Sequence, residues 1–562
     1  MKSRICYIVA LSAALALSSC GKKLGQFSSD YFTVNPNPLE VVGENVPARI
    51  SARIPANFFL RNAQVTVTPY LVFDGTEVAS QTYTFQGEKV RGNAPVISYE
   101  HGGNVTIPAS WVYNPNMNNS ELYLAFTVTQ GKKQYVLPRV KVADGVVSTA
   151  ALATATTVSP AIAPDAFQRI INRKYAADIM FLINQANIRA GQLHTDAMVE
   201  LRKEIIEAAG DSTRRIDELN IQSYASPDGS MDINTRLAEQ REVNTTDYLR
   251  GQLSKDKITE FGELTADFTA EDWEGFQRLV AQSNIQDKDL ILSVLSMYKD
   301  PEEREREIRN LANVFEQLAD QILPQLRYSR ITASISVVGK SDTELMNLAQ
   351  NDPEKLSVEE LLYAATLTDD NALRMKIYQT ATRLYPQDYR TWNDLGLTQY
   401  VAGDYNAASA SFQKAASLNS SATEPSMNLG LIALNNGKYD QANRLFGSAA
   451  GLDALNDALG VYYLKIGDNA AAVRAFGNTK SNNAALAQIL TKDYSKAKQT
   501  LAGINTPDAT TYYLMAILGA RTGNEQMLNT NLRQAIRIDP AMASKARTDL
   551  EFKGFNLSRA LN

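Results

Sequence analysis

The chain has 562 residues, 21% of them charged and 44% hydrophobic, and a formal net charge of −5. That length accommodates about three to five domains. The charge balance, with no sustained Lys/Arg run, argues against a general nucleic-acid binder, which needs basic patches to neutralise phosphates. The first predicted element is a leader: Lys2 and Arg4 precede the apolar run "ICYIVALSAALAL", which is too short for a comfortable membrane span and has the form of a signal peptide over residues 1–19. No later segment is apolar enough to span a bilayer. The two cysteines are Cys6 and Cys20. Cys6 leaves with the leader, so no pair remains for a disulfide or a zinc site.

The leader ends in "LSSC", Leu17 to Cys20, followed by Gly21. Small residues before a cysteine at the end of the apolar run resemble a bacterial lipobox. The resemblance implies that Cys20 is lipidated, becomes the mature N-terminus and anchors the protein in the outer membrane; two or more acyl chains hold firmly where one is marginal. Lys22 and Lys23 follow, with no acid before Asp30. Some Bacteroidota lipoproteins carry an acidic tag here and move to the cell surface, so the comparison implies a periplasm-facing protein.

Residues 28–147 read as an all-β sandwich. Ala48, Ile50, Ala52 and Ile54 alternate with polar residues. Leu122, Leu124, Phe126 and Val128 do the same, and the chain turns at Gln130-Gly131 and returns. Period-two alternation between turn residues is the half-buried strand signal. Residues 148–164, "STAALATATTVSPAIAP", contain no charge and no aromatic ring, and read as a linker.

Residues 165–340 read as α/β. "YAADIMFLINQANI", "IDELNIQSYA" and "RITASISVV" are strand-like. "TDAMVELRKEIIEAAG" and "NTRLAEQREVNTTDYLRGQL" are helical, and a helical insert covers about residues 270–323. Its run "PEEREREIR" is expected to be a solvated helix face. The spacing of Asn234, Arg236, Leu237 and Arg241 resembles the ligand corner of an OmpA-type peptidoglycan-binding domain. In that family an aspartate after the second strand and an arginine fifteen residues later clamp the zwitterionic end of the diaminopimelate stem peptide by charge complementarity. Here Arg241 stands at the arginine position, Ser226 at the aspartate position, and Asp228 two residues on. The resemblance therefore implies a peptidoglycan site built on Ser226, Asp228 and Arg241. The alternative for Arg241 is a helix-surface arginine paired with Glu239 or Glu242. Asn234 is expected to cap its helix. Arg327 and Arg330 stand where the family has an arginine pair before its last strand.

From about residue 354 to 562 a repeat appears. Leu395, Gly396, Gly403, Tyr405, Ala408, Phe412 and Ala415 recur 34 residues later as Leu429, Gly430, Gly437, Tyr439, Ala442, Phe446 and Ala449. Trp392 opens the first copy, Gly460, Ala472 and Phe476 mark a third, and Pro540 ends the last. This is similar to the tetratricopeptide (TPR) pattern, in which small residues let two helices cross closely and aromatics fill the groove between pairs. The resemblance implies an all-α solenoid whose groove takes an envelope protein as partner.

Nothing here points to an enzyme, a cofactor or a metal. His101 and His194 lack metal-spaced partners, and no P-loop, Gly-x-Ser-x-Gly elbow or dinucleotide turn occurs. Acid pairs such as Glu271-Asp272 are expected to be solvated or capping; a hydrolase would need one of them buried. The expected protein is thus a three-part scaffold of sandwich, OmpA-like domain and TPR solenoid. It is tethered at Cys20, and its central domain either meets peptidoglycan or serves as a spacer for an assembly or secretion accessory.

Overall fold

The structure is a computed structural model that describes residues 23–285, 288–310 and 312–561. Cys20 and the leader lie outside the described residues. Two compact units emerge: residues 23–164 together with 368–561, and residues 165–367.

The first unit begins with two β-sheets. One pairs Asn45–Ile54 with Phe32–Asn35 and Gly103–Val112; the other is built around Ala63–Phe73 and Glu121–Gln130. The alternation predicted from the sequence sets their faces. Val46, Ala48, Ile50, Ala52 and Ile54 point inward from the first sheet, and Leu122, Leu124, Phe126 and Val128 from the second, into one core with Phe59, Phe85 and Trp111. The strand returning after Gly131, Lys133–Asp144, pairs antiparallel with Glu121–Gln130. It is an edge strand and leaves Val136 exposed.

The C-terminal part of this unit is a stack of helix pairs. The first helices are Tyr389–Val401, Thr423–Asn435, Leu455–Ile466, Asn482–Leu490 and Ala509–Arg521; their partners are Tyr405–Leu418, Tyr439–Gly447, Asn469–Phe476, Tyr494–Ala502 and Glu525–Ile538. Leu395, Ala408, Phe412, Ala442, Phe446, Ala472 and Phe476 are buried, and Leu429 is half-buried. Trp392 donates from its indole to the Pro386 carbonyl at 3.0 Å, and Pro540 caps the helix that follows the last pair. The glycines have one shared reason. A methyl group added at Gly396, Gly430 or Gly460 would stand 2.5–2.6 Å from the ring of Phe412, Phe446 or Phe476 respectively. Each phenylalanine ring comes up against the glycine of the facing helix, and only glycine leaves room. Gly430→Leu is expected to overpack that crossing and cost about 1–3 kcal/mol, read as a lower denaturation midpoint for the first unit. An unchanged midpoint would contradict this packing.

The two sheets and the solenoid share one unit through particular contacts. Thr149 donates to Glu551, whose buried carboxylate is also paired with Arg521 at 2.5 Å. The backbone at Gly43 lies against Lys465 and Gly467, leaving no space for a side chain.

The second unit holds a four-stranded mixed sheet. Ile170–Met180 runs antiparallel to Tyr328–Val338, which runs antiparallel to Arg214–Tyr224, which is parallel to Glu263–Thr269. Helices Asp196–Gly210 and Met231–Lys255 cover it through Leu201, Ile205, Leu249 and Leu253, packed on Ile179, Leu219, Ile221 and Ile335. Glu263–Thr269 is absent from the sequence reading because it is a sheet edge with no fully buried residue. The expected insert is present as four helices between Trp273 and Gln321, with a core of its own that includes Phe276, Val280, Leu295, Leu318 and Leu323. Two further helices, Asp342–Asn351 and Val358–Thr366, belong to this unit and not to the solenoid, so the boundary expected at 354 falls at 368. Phe167 stacks on Tyr363 at 4.3 Å, Arg169 pairs with Asp342, and Lys340 pairs with Glu360, which ties both helices to the start of the sheet.

Candidate functional site

The inner groove of the solenoid is occupied by the chain itself. Residues 153–163, part of the linker expected at 148–164, lie across the first helices of the pairs with a turn at Ala155 to Val158, and Ala153, Ala155, Val158, Pro160, Ala161 and Ala163 are buried. A segment outside helix and sheet has backbone donors and acceptors that must find partners once water is excluded, and the backbone of the flanking helices is already bonded to itself. Side-chain amides meet the need, since each offers one acceptor and two donors. Asn428 accepts from the Ala161 N–H at 2.7 Å and donates to the Ala161 carbonyl at 2.8 Å. Asn483 does the same at Thr154, at 3.1 and 2.8 Å. Asn393 adds a second donor to the Ala161 carbonyl at 2.9 Å, and the Tyr400 hydroxyl donates to the Ala155 carbonyl at 2.8 Å.

Asp394 completes the row, accepting from the Ala163 N–H at 2.8 Å and from Asn393 at 3.0 Å. It is fully buried, and desolvation pushes its carboxyl up to about 7. Asp394, Asn428 and Asn483 each stand two residues before the small residue of the helix crossing: Gly396, Gly430 and Ala485. Ala458 holds that place in the third pair; Thr156 and Thr157 of the segment are exposed, and the Thr157 hydroxyl accepts from Asn483 at 3.2 Å. None of these groove residues is among the candidates read from the sequence. A signal was present: Asp394 and Asn428 are polar residues 34 apart, at the same place in two copies of the repeat. Nothing in the sequence, however, tied them to residues 153–163.

The corner of the second unit joins Ser226 to Asp228 and turns Arg241 to backbone carbonyls, with the charge of Asp228 still acting on it. Arg241 is buried, yet neither Glu239 nor Glu242 pairs with it. Its guanidinium donates to the carbonyls of Tyr224 at 2.8 Å, Gln185 at 3.1 Å and Leu182 at 3.3 Å, and lies over the Phe181 ring. Burial, and then the field of Arg327, push it down to about 10. Asp228 faces Arg327 instead, at 2.8 Å. Ser226 donates to Asp228 at 2.5 Å and accepts from Arg327 Nε at 3.0 Å. Arg309, from the insert, donates to the Asp228 carbonyl at 2.5 Å. Asp228, Arg309 and Arg327 line a cavity of about 490 Å³ with Ile183, Ala319 and Leu323. Arg330 is spent on Asp178, at 2.7 Å from each of two nitrogens.

Asn234 does not cap its helix. Ser230 stands at the cap position, and Asn234, one turn inside, donates to the Gly229 carbonyl and to Glu271. The acid pair Glu271-Asp272 is buried, against the expectation of solvated side chains, and all four carboxylate oxygens accept hydrogen bonds. Glu271 accepts from Asn234 and the Trp273 indole; Asp272 accepts from the Gly275 N–H, as a helix cap, and from the Tyr328 hydroxyl. Each carboxylate is thus committed to holding the start of the insert. Among the described residues no group of three or more His, Cys, Asp or Glu is placed to hold a metal ion, and no helix is long and apolar enough to cross a membrane.

Residues 389–421, the first full helix pair, match the family model for the tetratricopeptide repeat. The C-terminal helix pairs are repeats of this kind. No curated protein matches the chain. Among solved structures, the chain is similar to that described as functional characterization of Pseudomonas aeruginosa pilF, at 14% identity over 37% of this chain and 96% of that one, with a TM-score of 0.28. It is also similar to YrrB, a TPR protein with an unusual peptide-binding site, at 21% identity over 30% and 97%, with a TM-score of 0.24. A tetratricopeptide repeat protein from Parabacteroides merdae aligns at 11% identity over 49% and 99%, with a TM-score of 0.26.

Proposed function

We propose that the protein is a non-catalytic scaffold of the bacterial envelope, with the solenoid as its protein-binding part. The observation that carries this reading is the row Asp394, Asn428 and Asn483, which grips a polypeptide segment by its backbone. A surface that binds backbone in this way is built to bind protein, not to react with it. The anchor is the lipid at Cys20, and the central domain faces the periplasm and meets the peptidoglycan stem peptide at the cavity of Asp228, Arg309 and Arg327. A carboxylate beside two guanidinium groups offers both charges that a zwitterion needs. Arg241 contributes there by holding the loops and not by contact.

The burial of Arg241 favours a second reading, in which the OmpA-like domain is a spacer and the protein is an assembly or secretion accessory acting through its repeats. A pull-down with purified sacculi separates the two. Under the first reading the wild type is retained, and Asp228→Asn weakens retention by about 1.5–3 kcal/mol, the worth of a hydrogen bond to a charged group. Wild type at background would retire the wall contact and leave the accessory.

A further inference from the structure

The groove row is filled in cis, and the manner of filling bears on what else can enter. The segment 153–163 brings no large side chain into the groove: every buried residue in it is alanine, valine or proline. Most of its specific hold comes from the side-chain bonds of Asn428, Asn483, Asp394, Asn393 and Tyr400 to backbone atoms. Backbone bonds of this kind are indifferent to sequence; only the small inward residues are selected. Its middle, Ala155 to Val158, is a turn closed by the Val158 N–H on the Ala155 carbonyl, with exposed Thr156 and Thr157 and one side-chain bond from the groove, Asn483 to the Thr157 hydroxyl at 3.2 Å. A segment held by side-chain rather than ladder pairing, with a turn of exposed threonines at its centre, belongs to the locally opening end of a protein's stability range.

We propose that the solenoid groove is a docking site for an uncharged partner segment with alanine or other small residues at its inward positions, and that residues 153–163 occupy it until such a partner displaces them. The inference rests on the scaffold reading above and adds the chemistry of the partner and the device that regulates its access. A charged side chain at the Ala161 or Val158 position would be buried without a counter-ion, so charged segments are rejected. The covalent tether gives the cis segment a high effective concentration, so the groove is weak toward any trans ligand until the segment leaves.

The test uses the mature full chain and a labelled synthetic peptide of residues 151–165 as the probe, followed by fluorescence anisotropy. Val158→Asp with Ala161→Asp expels the cis segment and is expected to tighten peptide binding about tenfold or more over wild type, because apparent affinity scales with the open fraction. Adding Asn428→Ala and Asn483→Ala to that background is expected to return binding to background. Hydrogen exchange on the wild type keeps the proposal testable should those variants fold poorly. The amides of Thr154, Ala161 and Ala163 are expected to exchange faster than those of the solenoid helices, and faster still when the peptide saturates the groove. If they exchange only with global unfolding, or if the peptide binds without raising their exchange, displacement is overturned while the scaffold reading stands. If the expelled variant folds and binds no peptide, the scaffold reading falls with it.

Discussion

Replacing Arg241 with methionine is expected to destabilise the second unit by on the order of 3 kcal/mol, measured by denaturant unfolding, and Arg241→Lys is expected to recover only part of it. Methionine keeps most of the aliphatic volume, so the loss isolates the guanidinium. That group satisfies three carbonyls, two from one loop and one from a strand end, and hydrogen bonds to a charged donor are worth about 1.5–3 kcal/mol each. The total is discounted because Leu182 and Gln185 are exposed and water can reach their carbonyls. A lysine ammonium is a point donor without the planar fork, so it cannot serve carbonyls on three sides at once. If Arg241→Met is as stable as wild type but fails to bind sacculi, the guanidinium is a ligand group, and the placement described above is not the functional one.

Asp394→Asn is expected to flatten part of the pH dependence of the first unit. The folded carboxyl sits at about 7, above its ordinary 3.8, so the folded state holds the proton more tightly than the unfolded state. Stability linked to this group is therefore fully present below about pH 4, declines as pH rises toward 7 and is lost above it, at up to about 1.4 kcal/mol per pH unit. The asparagine carries no such term and supplies the same acceptor to the Ala163 N–H. Its advantage over wild type should be smallest near pH 4 and largest above pH 7, at most about 4 kcal/mol. Asp549 is also pushed up by burial, against the Tyr513 hydroxyl, but it is common to both proteins and cancels in the difference. A stability difference that does not change between pH 4 and 8 would show that Asp394 keeps its charge in the groove, and would remove desolvation as the reason asparagine stands at the other two positions.

The sequence by itself determined what depends on local periodicity. Alternation at Ala48 to Ile54 and at Leu122 to Val128 marked the two sheet faces, because a strand buries every second residue whatever it packs against. The recurrence of Gly396 and Phe412 as Gly430 and Phe446 marked the helix crossings, because a ring lying on a glycine is a contact between neighbouring helices that repeats with the repeat. The edge strand Glu263–Thr269 escaped notice, since an edge with no fully buried residue leaves a weak pattern.

Only the tertiary structure decided what happens between distant residues. The sequence resemblance puts Arg241 at the register of a ligand arginine, and such a register is compatible with both a pocket and a burial site. Its partners are carbonyls of Leu182, Gln185 and Tyr224, and a backbone carbonyl has no residue type by which a sequence could announce it. The segment 153–163 has the composition of a solvated linker because it contributes backbone and methyl groups instead of a core of its own. Its partners, Asp394, Asn428 and Asn483, lie more than 230 residues further along the chain, beyond the whole central domain. Composition reports whether a segment can build a core for itself; whether it is received into another is settled by the groove that receives it.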